Sequence, residues 1–572
     1  MPAVRRARDR VSGDQAELTL GDGSSMSGNA TGLGHRLRSV SPASLAILTA
    51  TALALALRLF LVTRPGFLTS GTVEYDDGVY LGAALRLLHG ALPYKDYAFV
   101  QPPGIVVVAL PGALIGTLTS QATGLAAARV LSVLASTACV PLAGRLVRHR
   151  GALACAVTAG LLAVYPADVL SGRTLLLEPW MNLACLLAAN AAFREGRLAS
   201  PRWLAWAGVA FGFGIAIKFW AVFPAAVLLA ACLIARPPAE TSRVKRAGAL
   251  VGGAVGGFAL LAGPFVLADP AGFIRETLFD QASREASRPP ISLRLAHLTG
   301  LIDVIGRDGK IVLGAATHSL FAMGAEASTR AVAVGWPAYA AAAVGVVLIA
   351  AGYLRGVRQR TPLEWFALVT AVLATAAIMY YPAFYYHYPD FPAPWLAIVA
   401  GAAVQSLACL IKGADARART ARRVLAAAVA VVVLATAGIE ARELEPADVP
   451  ASPSSVSALV PAGSCLVADQ VSFAIAADRF AAPSPGCPDL VDSLAATLAL
   501  SGGVSPYGGA GHDPKVVAGW EAIFGQAKYV WLQGGAYTRI PTSELQSWFT
   551  AHFRLIAAYP GYGASKLYVR DH

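Results

Sequence analysis

A chain of 572 residues that is 56% hydrophobic and only 14% charged is too apolar for a water-soluble domain, in which about 25% of residues carry charge. It reads as a membrane protein with many spans. The formal net charge of +12 does not indicate a nucleic-acid partner, because the basic residues sit in short loops between apolar runs, as cytoplasmic loops do.

Residues 1–40 are polar, Gly/Ser-rich in the middle, and carry Arg5, Arg6, Arg8, Arg10, Arg36 and Arg38; they read as a disordered cytoplasmic tail. Pro42 to Val62 is long and apolar enough to cross the hydrocarbon once. The basic residues before it put the N-terminus inside and the next loop outside. That loop holds GTVEYDDGVYLGAALRLLHGALPYKDYAFVQPPG, from Gly71 to Gly104, with Glu74 and the adjacent pair Asp76 and Asp77. Carboxylates beside a bilayer are costly to desolvate. The stretch is either a solvated loop between spans or a catalytic loop in which one Asp acts as general base.

Further apolar runs follow: Gly104 to Thr119, Leu125 to Val147, Gly151 to Tyr165, Leu175 to Phe193, Trp203 to Ile217, Phe219 to Ala235, Ala247 to Leu267, Ala331 to Tyr353, Trp365 to Tyr381, Pro392 to Ile411 and Val424 to Ile439. Between them stand basic clusters, among them Arg145, Arg148 and Arg150; Arg194, Arg197 and Arg202; and Arg236, Arg243, Lys245 and Arg246. If Gly104 to Thr119 crosses, every cluster lands outside. If it lies along the outer interface, every cluster lands inside, which the lysine and arginine bias favours. This run is also short and contains Pro111. The expected architecture is mainly α and polytopic: about eleven transmembrane helices within 41–440, a first outer loop at 63–122 with juxtamembrane helices, and no charge deep within a span. Residues 441–572 follow a Pro/Ser linker and read as a small extracytoplasmic α/β domain, with strands at GSCLVAD, KYVWLQG and SKLYVRD and a helix from Thr542 to His552. Cys465 and Cys487 lie there, in a compartment that permits disulfides, and are expected to pair. The other five cysteines, Cys139, Cys155, Cys185, Cys232 and Cys409, fall in apolar runs, where cysteine is a small hydrophobe. Richness in Ala, Val, Arg and Gly suggests a bacterial chain.

An acidic pair after the first span, then G-x-L-P-Y-x-D, here Gly90 to Asp96, then the Pro102-Pro103-Gly104 turn, resembles the first outer loop of the GT-C glycosyltransferases. The resemblance is to the group of protein O-mannosyltransferases, lipid A aminoarabinose transferases and rhizobial lipopolysaccharide sugar transferases, and it runs in order through about residues 42–410. It implies a polyprenyl-phosphate sugar as donor, a glycan, lipid or protein as acceptor, membrane lipids around the chain, and a juxtamembrane helix after the P-P-G turn. Asp76 matches the first acid of the family's loop motif. Where those branches place a Lys before the P-P turn this chain has Gln101, an uncharged donor, with Lys95 nearby to compensate.

Five other positions draw attention. Glu178, in RTLLLEPWMN, either sits on a positive helix N-terminus or, as the family's second outer acid, orients acceptor, cation or donor sugar. Lys218 either snorkels to the interface or neutralises the donor phosphate. Arg284 and Arg288, four apart in QASREASRPP, share one face if that stretch is helical and suit bidentate phosphate binding. His387, in YYPAFYYHYPDFPAPW, lies among tyrosines that an interfacial belt explains, and as part of a late family signature it hydrogen-bonds the donor phosphate. No cofactor is required by this reading; a divalent cation would have Asp76 and Glu178 as ligands. GxGxxG and P-loop patterns are absent from the sequence. The activity implied is inverting transfer of a hexosyl or pentosyl group at the outer face of a bacterial plasma membrane. The rival is a transporter or flippase of a lipid-linked glycan, against which stands the lack of an internal inverted repeat.

Overall fold

The structure, a computed structural model, describes residues 41–235, 242–284, 291–299, 336–355, 357–411, 416–443, 454–480, 486–506, 509–533, 540, 542–559 and 564–571. The expected tail at 1–40 lies outside these, as does Arg288. Helices dominate. The first half contains α1 (Pro42–Val62), α2 (Tyr75–Leu88), α3 (Gly104–Leu118), α4 (Gln121–Leu146), α5 (Ala152–Ala163), α6 (Pro166–Ser171), α7 (Leu177–Ala192), the hairpin β1 (Phe193–Arg194) and β2 (Arg197–Leu198), α8 (Pro201–Ile217), α9 (Val222–Ile234) and α10 (Arg243–Ala268). Next come α11 (Pro270–Ile274), α12 (Ile291–Thr299), α13 (Trp336–Arg355), α14 (Pro362–Tyr380), α15 (Ala393–Ala408) and α16 (Ala416–Glu443). Among the described residues five helices are long and apolar enough to cross a membrane: α1, α4, α10, α14 and, as far as Gly438, α16. Several other apolar helices are shorter, among them α3, α5, α8 and α15.

Small residues set the closest helix contacts. A Cβ on Gly208 or Gly212 of α8 would stand 2.1 or 2.3 Å from the carbonyl oxygens of Leu250 and Ala254 on α10. These glycines are four apart, the spacing that lets two apolar helices approach backbone to backbone.

The helices also hold buried ion pairs, which corrects the expectation of uncharged span interiors. Arg58 on α1, fully buried, donates to Asp168 at 2.8 Å, to Ser136 Oγ at 2.8 Å and to the Ala163 carbonyl at 3.0 Å. Arg360 meets Glu364 at 3.4 Å at the start of α14. Each charge has a counter-charge and carbonyl acceptors, the condition under which a buried charge is tolerated.

The C-terminal part contains α17 (Ser454–Leu459), β3 (Leu466–Ala468), α18 (Val471–Ala476), α19 (Ser493–Ser501), α20 (Pro514–Gln526), β4 (Tyr529–Gln533), α21 (Thr542–His552), β5 (Phe553–Tyr559) and β6 (Ser565–Arg570). The strands form one mixed sheet in the order β3-β4-β6-β5, with only β3 and β4 parallel. Val467, Trp520, Phe524, Val530 and Phe553 fill one core cluster there. Cys465 and Cys487 form a disulfide with Cα atoms 5.3 Å apart. This part lies directly on the loop and helix that follow α1. Gln470 Nε2 and Ser472 Oγ both donate to the Gly71 carbonyl, at 2.9 and 2.6 Å. A Cβ on Gly78 of α2 would fall 2.1 Å from the Ser472 nitrogen.

Candidate active site

The site is built on the N-terminus of α2. Glu74 is extended (φ −151°, ψ 139°) and caps the helix, accepting from the Tyr75 amide at 2.9 Å. Its other oxygen accepts the Tyr386 hydroxyl at 2.6 Å, which ties the late loop to the first one. Burial, then the charge of Asp76, push the Glu74 carboxyl up to about 7.

Asp76 and Asp77 occupy the first turn of α2. Neighbours on a helix point about 100° apart, so the two acids have different surroundings. Asp77 is fully buried. Its Oδ2 accepts from Arg129 Nε at 2.8 Å and Nη2 at 2.5 Å, and its Oδ1 accepts the Leu175 amide at 2.5 Å. Asp76 is half-buried, makes no ion pair among the described residues, and accepts the Tyr80 hydroxyl, one turn along, at 3.2 Å.

Opposite stands a second set. Glu178 is in the first turn of α7 and fully buried. Lys218 terminates α8, where the chain turns extended (φ −152°, ψ 128°), and its ammonium bonds Glu178 Oε1. That ammonium also lies 3.8 Å from the Trp220 ring centroid and 4.4 Å from that of Tyr388, within cation–π range. His387 Nδ1 is 2.9 Å from the other Glu178 oxygen. The loop carrying His387 is anchored by Asp390, whose carboxylate takes Ser171 Oγ at 2.5 Å and Asn182 Nδ2 at 3.1 Å. Arg284 closes the ring. It is 93% buried, its guanidinium lies 5.1 Å from the Tyr385 ring centroid, and its Nε has no hydrogen-bond partner. Arg284 lies within electrostatic reach of Asp76, and Lys218 of both Asp76 and Arg284.

An open carboxylate thus faces two buried cations. The family described as dolichyl-phosphate-mannose-protein mannosyltransferase matches residues 115–249. The structure is similar to that of ArnT from Cupriavidus metallidurans bound to undecaprenyl phosphate, with a TM-score of 0.55 at 14% identity over 91% of this chain and 97% of that one. This is the GT-C membrane glycosyltransferase fold. ArnT from the same organism in the apo state gives a TM-score of 0.53 at 12% identity, with the same coverage. The Archaeoglobus fulgidus oligosaccharyltransferase in the apo form aligns with a TM-score of 0.49 at 13% identity, over 86% of this chain and 69% of that one. No curated protein matches the sequence.

Of the residues singled out from sequence, the GT-C fold here gathers Asp76, Glu178, Lys218, Arg284 and His387. Lys218 does not snorkel outward; it is buried against Glu178. The helix expected to align Arg284 with Arg288 ends at Ser283, and Arg284 is already extended in ψ (φ −60°, ψ 90°). Lys95 is exposed, away from any ion pair. Gln101 is buried, and its backbone carbonyl takes the Tyr94 hydroxyl at 2.5 Å. The donors do not fit a divalent cation. Glu178 is already held between Lys218 and His387, and among the described residues no group of three His, Cys, Asp or Glu converges.

Sequence reasoning gave no role to Glu74, Tyr386 or Arg129. Arg129 carried a signal, a single Arg within the apolar run Leu125 to Val147, since an ionisable residue at such a place needs a partner. Tyr386 was hidden among like tyrosines.

Proposed function

We propose that the chain is an inverting glycosyltransferase that moves a hexosyl or pentosyl group from a polyprenyl-phosphate donor to a cell-envelope glycan, lipid or protein. In this reading it sits in a bacterial plasma membrane with about eleven spans. Residues 1–40 are a cytoplasmic tail, and the acids and an α/β domain at 441–572 face outward. The observation that carries the reading is the state of Asp76. Of the acids at the site, among the described residues, it is the one that is neither buried nor paired with a cation. The solved ArnT complex with undecaprenyl phosphate supports a polyprenyl phosphate as the leaving group.

The residues divide the work. Asp76 accepts the proton of the acceptor hydroxyl as its oxygen attacks the anomeric carbon. The bond from that carbon to the phosphate oxygen breaks on the opposite side, which inverts the centre. Polyprenyl phosphate leaves with the electron pair, and Arg284 and Lys218 offset the charge that develops on it. Glu178 holds Lys218 and His387 in place, and the His387 imidazole donates to the same phosphate. Asp77 takes no part in the chemistry; it fixes α2 through Arg129. Lys95, exposed on the loop of 63–122, and Gln101, buried in it, are assigned to donor or acceptor binding.

The test is transfer from a polyprenyl-phosphate sugar by the full chain in membranes. Asp76→Asn keeps the shape but takes no proton, so turnover should fall by about 10² to 10⁴ while donor binding survives. Near-normal transfer by Asp76→Asn would overturn the assignment. Movement of the intact lipid-linked sugar across the bilayer, with its phosphate bond unbroken, would identify a flippase instead.

A further inference from the structure

The polar loops at the far end of the bundle build a cavity. It has a volume of about 510 Å³ and is lined by Arg145, Arg148, His149, Asn190, Arg194 and Glu195. Two basic clusters that are separate in sequence meet there. The meeting is enforced by the β1–β2 hairpin, whose turn residues Glu195 and Gly196 have φ of +49° and +79°. A two-residue hairpin turn needs such positive values, and this one fixes Arg194 at the cavity rim.

Its depth follows from the helices. α4 starts at Gln121, whose amide bonds Asp478 of the C-terminal part at 2.8 Å. It ends at Leu146, in the cavity wall. Its 26 residues span about 39 Å, close to the full thickness of a bilayer with its headgroups. α14 begins at Pro362, and Leu363 also lines the cavity. The cavity therefore lies where two spans end, in the leaflet opposite the acids. Trp203 and Trp206, in the first turns of α8, are 44% and 57% exposed, and the Arg194 guanidinium lies 4.7 Å from the Trp203 ring centroid. Exposed tryptophans beside arginine mark headgroup depth.

Arg148 donates to Ser44 Oγ at 3.0 Å, while Arg145 is exposed and makes no ion pair among the described residues. His149 uses Nδ1 on the Leu146 carbonyl at 3.1 Å, while its Nε2 is buried with no hydrogen-bond partner. Glu195 is the one acid in the lining against three arginines. Leu146, Phe193 and Leu363 supply an apolar side to the same space, which a free anion does not use and a glycerol backbone does. We propose that this cavity binds the phosphate headgroup of an anionic phospholipid, with the arginines on its oxygens. The proposal is independent of glycosyl transfer, which takes place at the other end of α4.

The test uses the purified full chain with lipid added back. Phosphatidylglycerol, phosphatidylcholine and inorganic phosphate are titrated separately, and bound lipid is counted by native mass spectrometry. Phosphatidylglycerol should bind in preference to phosphatidylcholine. Arg145→Gln should weaken it about fivefold, the equivalent of ~1 kcal/mol per arginine near a headgroup, and Arg148→Gln comparably. Equal retention of both lipids, or phosphatidylglycerol binding unchanged in both variants, would overturn the site. Occupancy by inorganic phosphate that blocks the cavity without any phosphatidylglycerol preference would assign it to a soluble anion and overturn the lipid. If a variant fails to fold, competition between phosphatidylglycerol and phosphatidylcholine on the unaltered chain decides by itself.

Discussion

Asp77→Asn should unfold the protein more readily while leaving the reacting groups in place, and the structure gives the size of the effect. Both Asp77 and Arg129 are 0% exposed. The carboxylate receives two guanidinium hydrogens and the Leu175 amide. An asparagine has one acceptor oxygen for these three donors. Whichever way it turns, its own amide hydrogens face a donor. Arg129 keeps the Phe67 and Leu68 carbonyls, at 2.6 and 3.0 Å, but loses its counter-charge. Removing one partner of a buried pair costs about 3 to 5 kcal/mol. Asp76→Asn, at a half-buried position with one hydrogen bond, should cost about 1 kcal/mol or less. Thermal denaturation of the purified full chain in detergent, run beside transfer assays at low temperature, separates the two. Asp77→Asn should lose several degrees in midpoint yet retain transfer when cold, and Asp76→Asn the reverse. The double variant Asp77→Asn/Arg129→Met, which removes both charges, should recover part of the lost midpoint. A midpoint for Asp77→Asn equal to that of the unaltered chain, with transfer abolished, would refute this division.

Other outcomes follow from neighbouring features. Because the folded Glu74 carboxyl stands at about 7, above its ordinary value, the native state holds that proton more tightly than the unfolded chain. Stability should therefore fall as pH rises from about 4.5 to 7, by ~3 kcal/mol at the upper limit, and Glu74→Gln should flatten that slope in denaturation midpoints measured across the window. Gly78→Ala would drive a methyl into the Ser472 backbone, so it should loosen the C-terminal part to limited proteolysis and lower transfer. Gly82→Ala, whose Cβ meets only side-chain atoms of Val471 and Phe480 at 3.0 Å or more, should be milder. Reduction of Cys465–Cys487, which closes 22 residues of sequence, should cost about 3 kcal/mol, read as earlier unfolding of the 441–572 part under reductant.

The helices were legible because each apolar run carries its own evidence. Pro42 to Val62 was read residue for residue as α1, and Gly104 to Thr119 differs from α3 by one residue. Three of the four C-terminal strands were legible as short runs rich in β-formers. β5 was not, since FRLIAAY, an edge strand, is only half-buried and lacks alternation. The site was legible only in part. Chain order placed Asp76, Glu178, Lys218 and His387 at helix ends, but spacing cannot say which ends meet. Glu178 turns out to hold Lys218 and His387 together, partners 40 and 209 positions away in sequence. Likewise the Arg58–Asp168 and Arg129–Asp77 pairs depend on helix packing, which a single sequence does not encode locally.

The contact between the C-terminal part and α2 has a consequence for biogenesis. The Tyr75 hydroxyl donates to Asp492 at 2.8 Å, across 417 residues, and Ser472 seats the Gly71 carbonyl. The helix that presents Asp76 is therefore clamped by segments translated after the helical bundle. A nascent chain still emerging from the ribosome has its bundle but not its clamp. If the proposed transfer is right, turnover should begin only once residues 454–571 have folded onto α2.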